Sequence, residues 1–199
     1  WTRIRYRIKS AYPDCLLLGE TWGDGFSLLD EKSVDSIMNY VFRDSVRDFL
    51  ARGSIDAKMF NHRICQMRSH YPEEIRQALF QPLDSHDTER FLWNCSGDIR
   101  RLKLAALFQL CFPGAPSIYY GDEIGLNGDN DPDCRRCMEW NPAKQNADVL
   151  SFYKKIIRIR NKNPCLRTGN IVPLVCEKMT YGYLCQSDNQ QIYVLINVA

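Results

Sequence analysis

Acidic side chains end three apolar segments of this 199-residue chain. Glu20 directly follows the apolar run at residues 16–19, and further acids close the stretches at 83–87 and 118–123. The carboxyl ends of neighbouring parallel strands meet at one rim, where the catalytic groups of parallel α/β barrels lie. Carboxyl groups that converge there would stabilise the positive charge of an oxocarbenium-like transition state. These positions therefore favour cleavage of a glycosidic bond.

Two of these acids suit the paired carboxyl groups of a glycosidase. A retaining enzyme places the two groups roughly 5–5.5 Å apart and keeps one protonated through a less polar setting. Glu20 emerges from the most apolar of the predicted strands, beside Trp22, so we expect it to be the proton donor. Asp87, flanked by His86, would stay ionised. Each acid alone would more often be a surface charge or a helix cap, as Asp87 would be for a helix beginning near Thr88, so only their joint placement favours catalysis.

Strand-like and helix-like patterns alternate between these acids. Short apolar runs predict strands, the first of them buried on both faces, at residues 15–19, 36–40, 78–83 and 116–120. Helical spacing with stop signals predicts helices at residues 45–52, 59–70, 98–111 and 149–161. Repeated strand-then-helix units favour parallel strands joined by crossover helices.

The two ends of the chain carry different patterns. Residues 2–9 alternate like a strand, yet Trp1, Ile4 and Ile8 also fit a helix, which we favour because a buried strand follows immediately. The basic residues of this segment are more typical of a solvated helix face than of an RNA-binding face. Short strands separated by turn residues occupy the last part of the chain, at residues 171–176, 181–186 and 191–198. They predict the opening of an antiparallel β domain.

The overall composition excludes several classes of protein. With 26 Lys and Arg against 24 Asp and Glu, the net charge is only +2, so we expect neither a nucleic-acid partner nor an acidic membrane surface. The most apolar stretch, at 102–112, is interrupted by Lys103 and Gln109, so no membrane span is predicted. Nine Cys cannot all pair with one another, and several lie in apolar runs. This pattern favours a reduced, cytoplasmic protein over a disulfide scaffold.

Three motifs resemble, in order, signature regions of the α-amylase superfamily of retaining glycoside hydrolases: Gly-Glu-Thr-Trp at residues 19–22, Ser-His-Asp-Thr-Glu-Arg at 85–90, and the segment 114–125. The following segment, 130–140, is similar to the branch of neopullulanases, cyclomaltodextrinases and maltogenic amylases. The resemblance extends over nearly the whole chain. It implies a retaining α-glucan hydrolase that acts on the α-1,4 bonds of maltooligosaccharides, cyclodextrins or pullulan. The resemblance is also compatible with cleavage of α-1,6 bonds. Transglycosylation would be a side reaction.

The fold of this family is an eight-stranded (β/α) barrel followed by an antiparallel β domain. The resemblance therefore implies an α/β chain in which residues 1–168 form the second, carboxyl-side half of a (β/α)8 TIM barrel and residues 169–199 begin the antiparallel β domain. Because the chain starts at Trp1 without an initiator Met or a signal-peptide pattern, we interpret it as a piece of a longer protein. A half-barrel leaves strand edges and an inner face uncovered, so we expect self-association or a dimer.

The resemblance also assigns roles to individual residues of these motifs. It makes Glu20 the general acid/base, and it makes Asp87 the carboxylate that stabilises the transition state and binds the sugar in the cleaved subsite. His86 would hydrogen-bond the hydroxyl groups of that sugar. The remaining site residues would contact neighbouring sugars: Asp131 and Arg135 on the non-reducing side, and Trp22 on the acceptor side.

The family's nucleophile is missing from the chain. It is an Asp in a Gly-x-Arg-x-Asp motif, which occurs nowhere in the 199 residues. The resemblance places Trp1 in the helix that follows the strand carrying this motif. Without the nucleophile no glycosyl-enzyme intermediate forms, so we predict that the isolated chain has no appreciable hydrolase activity.

Two alternative functions remain. The first is a non-catalytic carbohydrate-binding member of the same superfamily, although such a protein would not need Glu20 as a proton donor. The second is a metal or redox protein built on Cys134 and Cys137, whose spacing matches half a zinc site. No second Cys pair or His pair accompanies them, so we expect reduced thiols and no metal ligands. No cofactor is expected, and the resemblance leaves room for a calcium ion in the intact protein because some relatives use one.

Overall fold

The computed structural model describes residues 1–30 and 33–198, in which short strands and helices alternate before a longer sheet. The strands are β1 (Leu18–Gly19), β2 (Ser36–Ile37), β3 (Phe80–Pro82), β4 (Ala115–Ser117), β5 (Asn170–Glu177), β6 (Thr180–Ser187) and β7 (Gln190–Asn197). The α-helices are α1 (Thr2–Ala11), α2 (Phe26–Asp30), α3 (Tyr40–Val46), α4 (Ala57–Ser69), α5 (Glu73–Ala78), α6 (Phe91–Asn94), α7 (Ile99–Cys111), α8 (Ala147–Lys162) and α9 (Cys165–Thr168). Within this described part, no helix has both the length and the apolar sequence that crossing a membrane requires.

The first strands are parallel and lie side by side in chain order. β1 pairs with β2, with Leu18 opposite Ser36, and β3 pairs with β4, with Phe80 opposite Ala115. A parallel bridge between Met38 and Phe80 joins the two pairs. Their carboxyl ends therefore meet at one edge, as the alternating pattern of the sequence predicts.

The last strands form an antiparallel sheet with β6 in the centre, which confirms the prediction for the end of the chain. β6 turns Tyr181, Tyr183 and Cys185 inward, each at most 1% exposed. The ring of Tyr181 packs edge-on against Phe60 of α4, and that of Tyr183 against Phe108 of α7, with centroids 5.0 and 6.0 Å apart. The sheet therefore shares an aromatic core with the helices.

Polar side chains determine where the long helices begin. Asp56 accepts a hydrogen bond from the N–H of Met59 at 2.8 Å and begins α4, and Asn146 accepts one from Val149 at 3.1 Å and begins α8. The structure confirms both helices, together with the helix that we favour for the first segment of the chain. The division of the chain into two domains at residues 168 and 169 stays a prediction.

The strand predicted at residues 36–40 is too long. β2 covers only its first two residues, because Asn39 caps a helix that begins at Tyr40. The side-chain oxygen of Asn39 accepts from the N–H of Phe42 at 3.0 Å. The helix predicted from residue 45 therefore starts at Tyr40 instead, and a polar side chain at the strand end explains the difference.

The strand predicted at residues 15–19 is wrong in length and in burial. Only Leu18 and Gly19 adopt strand conformation, and the side chains of Leu16 and Leu18 are 58% and 40% exposed. β1 pairs with β2 on one side, and within residues 1–30 and 33–198 no strand pairs with its other edge. Because β1 has a neighbouring strand on one side only in this described part, its apolar side chains stay exposed, whereas those of a strand buried on both faces would be covered.

The buried Arg160 of α8 ties α7, β4 and α9 together. Its guanidinium donates hydrogen bonds to four backbone carbonyl groups at 2.5–3.0 Å, those of Leu110, Phe112, Gly114 and Leu166. These carbonyl groups lie at the ends of their elements, where no helix or strand partner satisfies them. Arg160 therefore fixes how the end of α7 passes into β4.

Candidate active site

Glu20 lies directly after β1, at the edge where the parallel strands end. Its Oε1 accepts a hydrogen bond from the hydroxyl of Tyr40 at 3.0 Å. Tyr40 follows β2 and is 1% exposed, and its ring stacks on that of Trp22 with centroids 4.4 Å apart. Burial raises the pKa of Tyr40, and the charges of Glu20 and Asp87 raise it further. The Tyr40 hydroxyl therefore stays protonated and can donate to Glu20.

Ser85 joins this pair to the loop after β3. Its Oγ lies 3.2 Å from the hydroxyl oxygen of Tyr40 and accepts a hydrogen bond from the backbone N–H of Asp87, also at 3.2 Å. Because the Tyr40 proton is directed at Glu20, the Ser85 hydroxyl is the donor in its contact with Tyr40. A continuous series of hydrogen bonds therefore connects Glu20 with the backbone of Asp87.

The carboxylate of Asp87 contacts a histidine and an arginine side chain. Its Oδ2 lies 3.3 Å from His86 Nε2, and its Oδ1 accepts a hydrogen bond from Arg135 Nη2 at 3.1 Å. Arg135 Nε also donates to the carbonyl of His86 at 3.0 Å and lies 2.9 Å from Asp131 Oδ1. Arg135 thus joins the loops that follow β3 and β4. The side chains of these four residues are between 36% and 57% exposed, so a ligand can reach them.

All the site residues named from the sequence belong to this connected cluster. Tyr40 and Ser85 link them through the contacts described above, and they are Glu20, Trp22, His86, Asp87, Asp131 and Arg135. Their individual roles stay predictions.

A fully buried arginine, Arg90, joins the loops beneath this cluster. Its Nε donates to the carbonyl of Cys134 at 2.8 Å, and its Nη1 donates to the carbonyl of Tyr120. Its backbone N–H donates to the carbonyl of Gly128 at 3.0 Å. Because Cys134 directly precedes Arg135, the contacts of Arg90 also determine where Arg135 stands relative to the loop after β3.

Two buried carboxyl groups accompany Arg90. Asp122 Oδ1 lies 3.4 Å from Arg90 Nη1, and Asp84 Oδ2 accepts from the N–H of Phe91 at 2.7 Å. Burial raises the pKa of both carboxyl groups, and the charge of Asp84 and its hydrogen bond raise that of Asp122 further. The helix here, α6, begins at Phe91 after the N-cap residue Arg90, and its first N–H donates to Asp84 and not to Asp87. This corrects the structural role that the sequence offered for Asp87 alone.

Sequence reasoning missed Tyr40, Ser85 and Arg90 as parts of the site. Ser85 and Arg90 lie inside the motif at 85–90, but a motif does not show which way its side chains point. Tyr40 stands at the end of the strand predicted at 36–40, and an aromatic residue at the carboxyl end of a strand is the signal that would have found it.

The prediction that Glu20 lies in an apolar setting is wrong within the part of the chain that the structure describes. The side chain of Glu20 is exposed, as are Leu16 and Leu18 before it. The reason is the one-sided pairing of β1, which leaves the segment before Glu20 open to solvent.

Cys134 and Cys137 differ in their surroundings. Cys134 is buried, and its thiol donates to the carbonyl of His86 at 3.3 Å, whereas Cys137 is exposed. Among the residues that the structure describes, no group of three or more His, Cys, Asp and Glu side chains is placed to hold a metal ion.

Known proteins match the chain along most of its length. The family model "Alpha amylase, catalytic domain" matches residues 1–147. The chain is 43% identical to neopullulanase 2 of Thermoactinomyces vulgaris over 199 residues, which is 99% of this chain and 34% of the relative. It is 41% identical to a cyclomaltodextrinase of a Bacillus species over 199 residues, 99% of this chain and 36% of the relative. A solved cyclomaltodextrinase structure matches with a TM-score of 0.96 at 41% identity, over 99% of this chain and 34% of the other.

These matches agree with the fold described above. The chain spans about one third of the length of these relatives. The predicted fold class is confirmed, since the parallel strand-and-helix units are part of a (β/α)8 TIM barrel and antiparallel strands follow them. The match over residues 1–147, together with the order of the elements, shows that the chain belongs to the alpha-amylase family, as part of its catalytic domain with the strands that follow it.

Proposed function

We propose that the chain supplies the acid/base and part of the sugar-binding side of a retaining α-glucan hydrolase. The observation that carries the proposal is the series of hydrogen bonds from Glu20 through Tyr40 and Ser85 to Asp87. It connects two acids that stand after different parallel strands and that the sequence motifs single out. Carboxyl groups placed in this way suit cleavage of a glycosidic bond through an oxocarbenium-like transition state.

Glu20 is the proposed general acid/base. In the first step its carboxyl proton passes to the glycosidic oxygen as the leaving sugar departs. In the second step its carboxylate takes a proton from the attacking group. Water as that group gives hydrolysis, and a sugar hydroxyl gives transglycosylation. The hydrogen bond from Tyr40 fixes the orientation of the carboxyl group, and the exposure of Glu20 leaves it open to the substrate.

The cluster around Asp87 is the proposed sugar-binding part. The Asp87 carboxylate, held between His86 and Arg135, would stabilise positive charge at the anomeric carbon and bind hydroxyl groups there. Arg135 and its partner Asp131 would hold the next sugar on the non-reducing side. The ring of Trp22 is 62% exposed and would offer an apolar face to the acceptor sugar.

The nucleophile of this reaction has to come from outside the chain, since no Gly-x-Arg-x-Asp motif occurs in it. The proposed substrates are α-1,4 and α-1,6 bonds of maltooligosaccharides, cyclodextrins or pullulan, in line with the names that the relatives bear. A net charge of +2 suits an uncharged glucan. No cofactor is proposed. The nine free thiols suit the reducing environment of the cytoplasm.

The substitution Glu20→Gln tests the proposal in a polypeptide that joins this chain to a barrel half carrying the nucleophile. Gln keeps the size of the side chain but cannot give up an acid proton, so we expect kcat on maltotriose to fall about 10²–10⁴-fold. Binding of maltotriose should change little. Release of reducing sugar and calorimetric titration measure the two effects, and Glu177→Gln, at the end of β5, is the matched control that should leave both unchanged.

Three outcomes would count against the proposal. Near-normal turnover in Glu20→Gln would remove the acid/base role. Robust sugar release by the pure 199-residue chain would refute the need for an outside nucleophile. A joined polypeptide that binds maltotriose without ever cleaving it would favour the non-catalytic carbohydrate-binding alternative.

A further inference from the structure

Two buried thiols meet where the antiparallel sheet packs on α9. Cys165 is the first residue of α9, and Cys185 lies on the central strand β6. Their Sγ atoms are 3.5 Å apart, and the two residues are 1% and 0% exposed. The thiol of Cys185 also reaches the carbonyl of Cys165 at 3.1 Å. The thiol of Cys165 donates to the sulfur of Cys185, so the two sulfur atoms are in direct contact.

Gly169 keeps the space beside this pair free. A Cβ atom at this position would lie 2.8 Å from the sulfur of Cys165 and 2.9 Å from that of Cys185. The nearest atom to such a Cβ would be the carbonyl oxygen of Cys165, at 2.6 Å. A side chain at position 169 would therefore collide with the backbone of α9 as well as with both sulfurs.

We propose that Cys165 and Cys185 are an oxidisable pair that forms an intramolecular disulfide bond when the protein meets a small-molecule disulfide. Disulfide formation would bring the sulfur atoms from 3.5 Å to the bonding distance of about 2.05 Å. Because the partners already touch, the second step is intramolecular and meets no competition from distant thiols. The bond would tie α9 covalently to β6.

The exchange balances in two steps. A thiolate of one Cys attacks the small disulfide, which gives a mixed disulfide and releases one small thiolate. The other Cys thiolate then attacks the protein sulfur of the mixed disulfide, which forms the bond between Cys165 and Cys185 and releases the second small thiolate. The two protons lost by the protein thiols pass to the small thiolates. Two electrons move from the protein to the small disulfide, which is reduced.

Burial sets the rate of this exchange. It raises the pKa of Cys185 to about 12, so the closed structure holds very little thiolate there. The reaction therefore proceeds through local opening of α9, which has only four residues. We expect it to be slower than the modification of the exposed thiols of Cys15, Cys65 and Cys137.

Peptide mapping of oxidised protein tests the proposal. The experiment uses the chain with Cys15, Cys65 and Cys137 replaced by Ser, treated with oxidised glutathione and digested with trypsin without reduction. If the chain alone fails to melt cooperatively, the longer polypeptide that contains it is used. We expect peptide 163–167 to be linked to peptide 179–199, with two hydrogen atoms fewer than the separate peptides. The melting temperature should rise by several degrees and return after dithiothreitol.

Two controls make the outcome decisive. Addition of Cys165→Ala should abolish both the linked peptide and the rise in melting temperature. In urea the unfolded chain should instead favour thiols closer in sequence, so that Cys185 links mainly to Cys176 in peptide 168–178. The proposal is overturned if native protein gives only glutathione adducts on Cys165 or Cys185, or the same mixture of links as the urea sample.

Discussion

Arg90 and Arg160 are both buried arginines, yet they hold different parts of the molecule. Arg90 contacts the loops that carry His86, Asp87 and Arg135, whereas Arg160 donates to carbonyl groups around the start of β4 and α9. Loss of such a donor leaves a buried carbonyl group without a partner, which costs about 1–3 kcal/mol. Both arginines therefore stabilise the fold, but only Arg90 lies beneath the candidate site.

Arg90→Lys should separate positioning from stability. Lysine keeps the charge but loses the planar fork of donors, so the Cys134 and Tyr120 carbonyl groups cannot both be held. We expect kcat/KM of the nucleophile-bearing polypeptide to fall about 10- to 100-fold, because small shifts of sugar-binding groups are costly. The matched variant Arg160→Lys should lower the melting temperature by a similar amount and leave kcat/KM nearly unchanged. Equal kinetic losses in the two variants would contradict a positioning role for Arg90.

Among the elements, α1 is held by charges and not by burial. None of its residues is buried, and Asp35 anchors it through Arg5 at 2.6 Å and Lys9 at 2.9 Å. Burial alone would raise the pKa of Asp35, but hydrogen bonds from Lys9, the backbone of Leu17 and Arg5 outweigh it and leave the pKa lowered. The attachment of α1 therefore depends on the ionised form of one carboxylate.

Acid should release α1 before the rest of the chain. A carboxyl group whose pKa is lower in the folded state stabilises the fold above its unfolded pKa of about 3.9, and this stabilisation is lost as the pH falls through the folded pKa. We expect hydrogen exchange at the amides of α1 to accelerate below about pH 4 relative to α7, after correction for intrinsic rates. Asp35→Asn should show the weakened α1 already at neutral pH, whereas Asp14→Asn should not. Equal protection of α1 at roughly pH 3 and pH 6 would contradict this.

Gly114 allows β4 to begin beside β3. Its φ is +131°, and a Cβ atom there would lie 2.4 Å from Gln81 Nε2. That amide group donates to the carbonyl of Pro113 at 2.9 Å and is buried. A side chain at position 114 would therefore strain the backbone and also displace a buried hydrogen bond.

Gly114→Ala should lower the free energy of unfolding by about 2–4 kcal/mol, the sum of backbone strain and a lost buried hydrogen bond. Gly97→Ala is the matched control, because Gly97 has a φ of +80° but no atom within 4 Å of a Cβ. It should cost only about 1 kcal/mol, from strain alone. Urea unfolding measures both values, and equal losses would show that the contact with Gln81 is not decisive.

At the scale of the whole molecule, exposed apolar side chains lie on and directly before β1. Leu16 is 58% exposed and Leu18 is 40% exposed. The free edge of β1 adds unpaired backbone groups beside them, within the residues that the structure describes. An apolar surface next to an open strand edge favours association.

Light scattering should therefore find the chain as dimers or larger species at high concentration. The double variant Leu16→Lys with Leu18→Lys should shift it towards the monomer, because like charges repel along the exposed edge. Met59→Lys, on helix α4 away from any strand edge and 46% exposed, is the control that should change nothing. A clean monomer of the unmodified chain at high concentration would contradict the prediction.

The sequence by itself determined the types and order of most elements and the residues of the motifs. Apolar runs, helical spacing and caps such as Asp56 act over a few neighbouring residues, so their effect is visible in the chain. The acids that directly follow the apolar runs are visible in the same way, and they indicate side chains gathered at one rim. The local patterns predicted the wrong lengths for β1 and β2. Hydrophobic periodicity alone does not show that the strand of Leu18 pairs on one side only within the described residues, or that Asn39 caps the following helix.

Only the tertiary structure decided which side chains meet. Tyr40 reaches Glu20 across 20 positions of sequence, and Arg90 reaches Cys134 across 44. Such contacts depend on the pairing and register of the strands and on the packing of the helices behind them, which no local pattern specifies. For the same reason, the sequence alone identifies Glu20 as a candidate acid, whereas its hydrogen-bond partner and its exposure to solvent follow only from the fold.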